Sequence, residues 1–178
     1  SRISGVADFL ADDEQDAISI ARDVVKTLKP AQPYAAPSSP IVPPRFSAEE
    51  LLGIVPVNLK KPFDVRELLV RVVDNSQFTE FKANYGITMV CCWTNINGYK
   101  VGVIANNGVI FAEAAQKATQ FIQLANKSNT PLLFIHNTTG FMVGKRHEQN
   151  GMINSGAQLI HAVSGSTVPH ISLLIGNS

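Results

Sequence analysis

The sequence predicts an α/β domain in which helices pack against a β-sheet. Two stretches rich in β-forming residues, 87–94 and 99–106, flank Asn97-Gly98, a dipeptide that strongly indicates a tight hairpin. Segments with helical periodicity then alternate with short apolar strands. The resulting order of helix, β-hairpin, helix, strand, helix and strand is typical of α/β folds.

Residues 1–29 predict a loop and one amphipathic helix. Asp12 and Gln15 have the spacing of an N-terminal capping box, and Pro30 ends the helix. The apolar face of this helix consists of Ile18, Ala21, Val25 and Leu28. Because a lone helix of this length is only marginally stable, we expect it to be the last element of a larger unit.

Residues 30–61 predict a proline-rich segment followed by a short helix. Six of the ten prolines fall between residues 30 and 45, which indicates a semi-rigid extended linker. A strap across the surface of one domain fits the same composition equally well. Ser47 and Glu50 then start a short helix, which Gly53 ends.

Residues 62–178 carry the densest signals. Asp64 and Glu67 form a second capping box. The apolar stripe that follows consists of Val65, Leu68, Leu69, Val72 and Val73. Beyond the hairpin we expect a helix over 111–127, a strand over 132–136, a helix over 150–163 and a strand over 171–175. Since the last strand has the composition of buried core, we expect the chain to be a piece of a longer polypeptide.

The composition excludes several classes of protein. The 178 residues carry a formal net charge of +1, which provides no basic surface for nucleic acid. The longest apolar runs are far shorter than the roughly 20 residues of a membrane span. Cys91 and Cys92 are the only cysteines and point to opposite faces of a strand. They therefore form neither a disulfide framework nor a metal site, and they indicate a reducing compartment.

Catalysis by side chains is not indicated. The four histidines lack metal-ligand spacing, and no nearby cysteine or glutamate completes a ligand set. His136, at a strand end, is interpreted as a solvated or core-edge residue. Glu80, Glu113 and Glu148 are single carboxylates, which we interpret as surface or capping groups. No catalytic side chain and no metal ligand is therefore assigned.

Two glycine-containing loops are the candidate functional features. The loop Asn137–Gly144 follows a buried strand, at the end of the strand where ligands bind in open α/β sheets. The segment Asn106–Val109 connects the hairpin to the next helix. Glycine permits a positive φ and close backbone approach, and exposed N–H groups can hold an anion or a developing oxyanion. A purely structural turn is the alternative for each loop.

Ordered matches along nearly the whole chain resemble a known family. The matching stretches are 4–8, 64–67, 71–74, 78–82, 85–86, 98–104, 106–111, 131–135, 139–144 and 168–169. Residues 62–178 resemble the C-terminal half of the carboxyltransferase β-subunit of biotin-dependent acyl-CoA carboxylases. Residues 3–28 resemble the end of the N-terminal half.

The resemblance implies a crotonase-like (ClpP-like) spiral of ββα units. Residues 1–29 would end the N-terminal carboxyltransferase domain, 30–61 would form a linker, and 62–178 would form the first part of the C-terminal domain. In this family CO₂ leaves carboxybiotin and is captured by an acyl-CoA dienolate, and backbone N–H groups hold both anions. The glycine-rich oxyanion loops of the family would precede residue 1 and follow residue 178, so the chain alone is expected to be inactive.

The resemblance carries over by residue only to the wall of the biotin pocket. The predicted cofactor-binding residues are Asn107, Gly108, Val109, Thr139, Gly140, Phe141, Met142, Val143 and Gly144. The two loops are similar to the 3-methylcrotonyl-CoA type, an enzyme of leucine degradation. Geranyl-CoA and propionyl-CoA carboxyltransferases are alternatives.

The resemblance also implies cofactors and partners. Biotin would arrive as carboxybiotin on a biotin carboxylase/biotin carrier α-subunit, the substrate would be a coenzyme A thioester, and β-subunits would form a homo-oligomer. The compartment would be the bacterial cytoplasm or the mitochondrial matrix, with no nucleic-acid or membrane partner. A decarboxylase subunit of a biotin-dependent sodium pump and a non-catalytic crotonase-fold scaffold are further alternatives. A crotonase-type hydratase is less favoured because the sequence shows no pair of acidic residues that could act together.

Overall fold

The chain divides into two units in this computed structural model, residues 1–36 and residues 37–178. The structure describes residues 9–27, 37–58, 61, 63–138 and 140–176. The matching stretch 4–8 and Leu28 of the expected helix face lie outside the described residues. The expected domain boundaries after residues 29 and 61 stay predictions.

The described part of the first unit contains helix α1 (Glu14–Thr27). The carboxylate of Asp13 accepts a hydrogen bond from the N–H of Asp16 at 2.8 Å. The carboxylate of Asp16 in turn accepts from the N–H of Asp12 at 3.0 Å. The carboxylates of Asp13 and Asp16 therefore both accept from backbone N–H groups at the start of the helix, and the expected pairing of Asp12 with Gln15 is wrong. The helix begins at Glu14, so Asp13 and not Asp12 occupies the capping position.

The second unit opens with a strap along the hairpin, formed by the described end of the proline-rich segment. The N–H groups of Ser38 and Ser39 donate to the carbonyl of Gly98 at 2.9 and 3.3 Å. Further along, the carbonyl of Val42 accepts from the N–H of Asn75 at 3.0 Å. Of the two interpretations that the composition left open, the strap describes residues 38–42.

Two short helices follow the strap in the chain and precede the first strand of the sheet. Ser47 caps a 3₁₀ turn (Ala48–Glu50) that leads into α2 (Leu51–Ile54), one residue beyond the expected stop at Gly53. Asp64 caps α3 (Val65–Leu69) by accepting from the N–H of Arg66 at 3.0 Å. Glu67 does not complete the expected capping box, because its carboxylate binds Arg71 at 3.0 Å.

The sheet has five strands in the order β1-β2-β3-β4-β5. The strands are β1 (Phe78–Phe81), β2 (Met89–Ile96), β3 (Tyr99–Asn106), β4 (Leu132–His136) and β5 (His170–Leu174). Strands β1, β2 and β3 pair antiparallel, whereas β3, β4 and β5 pair parallel. The expected hairpin is confirmed, with Ile96 opposite Tyr99 and positive φ at Asn97 and Gly98. Strand β1 was not expected, because four residues carry too little periodicity.

Crossover helices connect the parallel strands. Helix α4 (Ala112–Lys127) links β3 to β4, and α6 (Met152–Ser164) links β4 to β5 and packs against α4. Both were expected to within about two residues. The short α5 (Lys145–Gln149) precedes α6 and was missed, since its sequence is polar and has no apolar period. Within the described ranges, no helix is long and apolar enough to cross a membrane.

Alternate residues of the strands supply two apolar cores, one on each face of the sheet. Cys91 and Ile104 pack with Ala118 and Phe121 of α4. Cys92 and Val103 belong to the second cluster, with Val65, Leu68 and Leu69 of α3. The expectation that Cys91 and Cys92 point to opposite faces is thereby confirmed.

Strand β5 was expected to be buried, but it is exposed. All five residues are exposed, and Ile171 retains 66% of its accessible surface. Among the described residues β5 pairs only with β4, so one edge of the strand stays open. An apolar composition predicted a buried strand, but burial depends on neighbouring elements, which a local pattern does not report.

Candidate functional site

The carboxyl ends of three strands lie at one edge of the sheet. Because β3, β4 and β5 run parallel, their carboxyl ends at Asn106, His136 and Leu174 lie side by side. The two loops singled out from the sequence follow the first two of these strands. Open α/β sheets bind ligands at this edge.

A parallel β-bridge joins the two predicted loops, between Ile110 and Phe141. The N–H of Ile110 donates to the carbonyl of Gly140 at 3.1 Å, and the N–H of Met142 donates to the carbonyl of Ile110 at 2.9 Å. The structure therefore joins the two loops through Ile110, which follows Asn107, Gly108 and Val109 in the chain. Thr139 lies outside the described residues.

Asn107 anchors the first loop to the protein. Its side-chain Oδ1 accepts from the N–H of Val65 at 2.9 Å, at the start of α3, and its own N–H donates to the carbonyl of Thr88 at 2.8 Å. Asn107 thus satisfies one of the unpaired donors of a helix N-terminus. These two hydrogen bonds hold the loop in place at Asn107.

Gly108 and Val109 supply open backbone donors. Gly108 is exposed and has a φ of 142°, and Val109 is half-buried. Among the described residues, no hydrogen bond uses the N–H of either residue. Two adjacent free N–H groups at a sheet edge can hold an anionic oxygen or nitrogen.

The second loop depends on the backbone freedom of glycine. Gly140 has a φ of 116°, in the region that side chains other than glycine rarely adopt. A Cβ at Gly140 would meet no atom within 4 Å, so the backbone angle and not space requires glycine there. Thr138 fixes the turn, because its Oγ1 accepts from the N–H of Gly140 at 3.1 Å.

An apolar cavity of about 410 Å³ lies beside the joined loops, between the sheet and α6. Phe141 contributes one wall, and its ring lies 3.6 Å from the place of a Cβ at Gly156. Other lining side chains are Ile104, Ile110, Phe134, Leu159 and Val163. Met142 is half-buried, whereas Val143 and Gly144 are exposed at the end of the loop.

The histidines nearest the cavity act as polar borders. The Nε2 of His136 lies 3.3 Å from the Oγ of Ser172, and the Nε2 of His170 lies 2.7 Å from the Oγ of Ser166. This agrees with the interpretation of His136 as a core-edge residue. Within the described ranges, no three His, Cys, Asp or Glu side chains are close enough to hold a metal ion.

Glu80 is not the isolated surface carboxylate that the sequence indicated. Its two oxygens accept from Nε and Nη2 of Arg66, each at 2.9 Å, and Lys117 Nζ lies 3.5 Å away. These contacts were missed because Arg66 and Lys117 lie 14 and 37 positions from Glu80 in the chain. The sequence contained one sign that Lys117 is buried and needs a partner, because Lys117 falls on the apolar face of α4 between Ala114 and Phe121.

The charges of this cluster stabilise each other. The hydrogen bond with Glu80 raises the pKa of Arg66 above its ordinary value. Lys117 has no accessible surface and the Glu80 side chain retains 12%. Glu113 and Glu148, by contrast, are exposed, as expected.

The two cysteines are poor nucleophiles in this environment. Burial raises the pKa of Cys92 to about 12, and burial raises the pKa of Cys91 further. Because only a thiolate is nucleophilic, neither side chain is reactive near neutral pH. The candidate chemistry of the site therefore lies in its backbone.

The fold and the joined loops define an α/β domain that presents backbone N–H groups at the carboxyl edge of a mixed sheet. Comparison with known proteins identifies the family. Residues 1–178 match the family described as the carboxyl transferase domain, and the chain belongs to that family.

Two subunits of biotin-dependent carboxylases are similar to this chain over its full length. It is 57% identical to a probable biotin-dependent acyl-coenzyme A carboxylase beta2 subunit of Mycobacterium tuberculosis, over 100% of this chain and 34% of that protein. It is 44% identical to the biotin-dependent 3-methylcrotonyl-coenzyme A carboxylase beta1 subunit of the same organism, with the same coverage. The chain thus spans about a third of the length of these curated relatives.

A solved structure shows the same fold. The beta subunit of geranyl-CoA carboxylase from P. aeruginosa superimposes with a TM-score of 0.73 at 43% identity. The match covers 97% of this chain and 33% of that one. The expected crotonase-type α/β architecture of a carboxyltransferase is confirmed.

Proposed function

We propose that the chain forms part of a carboxyltransferase subunit that moves CO₂ from carboxybiotin to an acyl-CoA. The observation that carries the proposal is the Ile110–Phe141 bridge, which joins the loop containing Gly108 and Val109 to the loop containing Gly140. The family match over the whole chain supports the same activity.

The residues present fit a biotin ring. Its ureido group is planar and polar, whereas its bicyclic body and tail are apolar. The N–H groups of Gly108 and Val109 suit the ureido oxygen, and the exposed ring of Phe141 suits the apolar body. When bound, carboxybiotin would supply the CO₂, and the biotin that remains after CO₂ leaves would take up the proton that the acyl-CoA loses.

Backbone donors stabilise the charge that develops during transfer. An N–H that is already oriented toward a developing anion needs no reorganisation, and one such donor lowers a barrier by about 3–4 kcal/mol. Asn107 and Thr138 hold the two loops in their positions through hydrogen bonds to Val65 and Gly140. The chain's own contribution is therefore to orient the biotin ring and to stabilise its ureido anion.

The proposed substrate is 3-methylcrotonyl-CoA. The segments Asn106–Gly108 and Thr138–Gly144 resemble that type, and the chain is 44% identical to the 3-methylcrotonyl-coenzyme A carboxylase beta1 subunit of Mycobacterium tuberculosis. Geranyl-CoA is the second candidate, because the beta subunit of a geranyl-CoA carboxylase is 43% identical and superimposes well.

The proposed assembly has two kinds of subunit. A biotin carboxylase/biotin carrier α-subunit delivers carboxybiotin, and copies of the carboxyltransferase subunit form a homo-oligomer. The proposed compartment is the bacterial cytoplasm or the mitochondrial matrix.

A substrate panel tests this proposal. The full-length protein is co-expressed with its biotinylated partner, and labelled bicarbonate is followed into 3-methylcrotonyl-CoA, geranyl-CoA and propionyl-CoA. Label mainly in 3-methylcrotonyl-CoA is expected. Label only in another thioester would retain the activity and refute the substrate. Co-purification of a membrane subunit with no labelled thioester would favour a biotin-dependent decarboxylase.

A further inference from the structure

Glu80 joins two helices that belong to opposite cores of the domain. Arg66 extends from α3, which packs in one apolar cluster, and Lys117 extends from α4, which packs in the other. Both cations reach the same carboxylate on β1, with N–O distances of 2.9 and 3.5 Å. We call Arg66, Glu80 and Lys117 the Glu80 network.

Both helices hold the same loop. At one end, the first N–H of α3, that of Val65, donates to the side chain of Asn107. At the other end, the chain runs from Val109 into α4, which begins at Ala112. The Glu80 network therefore ties together the two anchors of the segment 107–111.

The position of this segment matters for the bridge between the loops. Ile110 lies within it and makes both hydrogen bonds to the second loop, at Gly140 and Met142. A shift of α3 relative to α4 would change the position of Asn107 relative to Ile110. The N–H groups of Gly108 and Val109 lie between these two fixed points.

Net stabilisation alone is a weak explanation for such a network. Burying charges costs desolvation free energy that their attraction barely offsets, and apolar side chains of similar volume often stabilise a fold equally well. Fixing the relative position of two elements is the better-supported use of a buried ion pair.

We propose that Arg66, Glu80 and Lys117 are positioning residues for the backbone donors at Gly108 and Val109. None of the three belongs to the proposed biotin-binding loops; they act through α3, α4 and Asn107. The link to biotin rests on the proposed function, whereas the link to the loop rests on the contacts alone.

The test uses the full-length protein with its biotinylated partner and three variants. Glu80→Gln removes the shared carboxylate, and Glu80→Gln with Lys117→Met removes both the carboxylate and the cation that would be left unpaired. Glu50→Gln is the matched control, because it breaks another ion pair, with Arg71 at 2.6 Å, that does not contact the loop. Two properties are measured: amide hydrogen exchange across residues 107–111, and KM for the biotinylated carrier and for the acyl-CoA.

Local loosening without global unfolding is the expected result. In the double variant, global stability recovers relative to Glu80→Gln, yet exchange at residues 107–111 stays about tenfold faster than in the wild type. KM for the biotinylated carrier rises about tenfold, since misplaced donors bind poorly, and KM for the acyl-CoA does not change. The control resembles the wild type in both readouts.

Two outcomes separate this proposal from the proposed function. If the double variant regains stability together with wild-type exchange and KM, the network is only structural and the proposal is wrong. If the wild-type assembly transfers no carboxyl group while the loop still loosens in the variants, the proposed function fails and the positioning of the loop stands.

Discussion

Ile110 and Phe141 form an isolated parallel bridge between two loops that leave neighbouring strands of the sheet. The bridge uses both the N–H and the carbonyl of Ile110, at 3.1 and 2.9 Å from their partners. It converts two separate turns into one surface at the carboxyl edge. Most of the proposed biotin-side chemistry depends on the geometry of this surface.

Gly140→Val should sharply reduce carboxyl transfer in the full-length assembly. A φ of 116° is strained for a β-branched residue, which would reorient the carbonyl that Ile110 binds. Strain of about 1–3 kcal/mol is enough to displace this loop without unfolding the domain. We expect a loss of about a hundredfold in rate, measured as labelled product per folded enzyme.

Gly53→Ala is the control for this substitution, because a Cβ there meets no atom within 4 Å and lies far along the chain from the loops. It should leave the rate unchanged. A Gly140→Val enzyme with a normal rate would remove the Gly140–Gly144 loop from the proposed pocket.

Asn107→Ala should lower the free energy of unfolding by about 0.5–2 kcal/mol, the range for loss of a helix cap. The substitution leaves the N–H of Val65 without the acceptor that now lies 2.9 Å away. Asn107→Asp retains an acceptor oxygen and adds a negative charge that a helix N-terminus favours. Denaturant titration should therefore show a loss for the alanine variant only, and equal losses would contradict the cap.

Removing Glu80 should destabilise the protein much more than removing Lys117. Glu80→Gln leaves the buried Lys117 without a carboxylate partner and leaves Arg66 paired with Asp64 alone, at a cost of about 3–5 kcal/mol. Lys117→Met removes a buried charge and leaves the two hydrogen bonds between Arg66 and Glu80 in place. Similar midpoints of denaturation for the two variants would show that Lys117 is not paired with Glu80 in solution.

Stability should fall in alkaline solution because of the buried thiols. Burial raises the pKa of Cys92 from 9.0 to about 12, so above pH 9 the unfolded chain loses a proton that the folded chain keeps. This stabilisation is complete below pH 9 and is lost as the pH rises toward 12. The free energy of unfolding should decline by up to about 1.4 kcal/mol per pH unit for each thiol.

A variant with Cys91→Ala and Cys92→Ala isolates this effect from the titration of lysine and tyrosine. Its free energy of unfolding should depend less steeply on pH between 9 and 12. An unchanged slope would show that the thiols are accessible in the folded protein.

Local signals in the sequence predicted two elements that position the candidate loops, the hairpin of β2 and β3 and the start of α3. Asn97-Gly98 fixed the hairpin because its turn type demands positive φ at both residues, and those angles are 50° and 78°. Asp64 predicted the start of α3, where its carboxylate accepts from the backbone. The hairpin and the helix cap are each set by residues close together in the chain.

Long-range features were not accessible from local patterns. Glu80 finds its partners 14 and 37 positions away, and only the folded sheet brings β1, α3 and α4 together. The Ile110–Phe141 bridge likewise depends on the parallel pairing of β3 with β4. The prediction that β5 is buried was wrong for the same reason, because the surroundings of the strand and not its composition decide its burial.

Avidin-sensitive carboxylation is the most direct test of the central claim. The full-length protein and its biotinylated partner are supplied with labelled bicarbonate and 3-methylcrotonyl-CoA, with and without avidin. We predict labelled product that disappears when avidin sequesters the biotin. The absence of labelled product from a folded, biotinylated assembly would contradict the account and favour a non-catalytic scaffold.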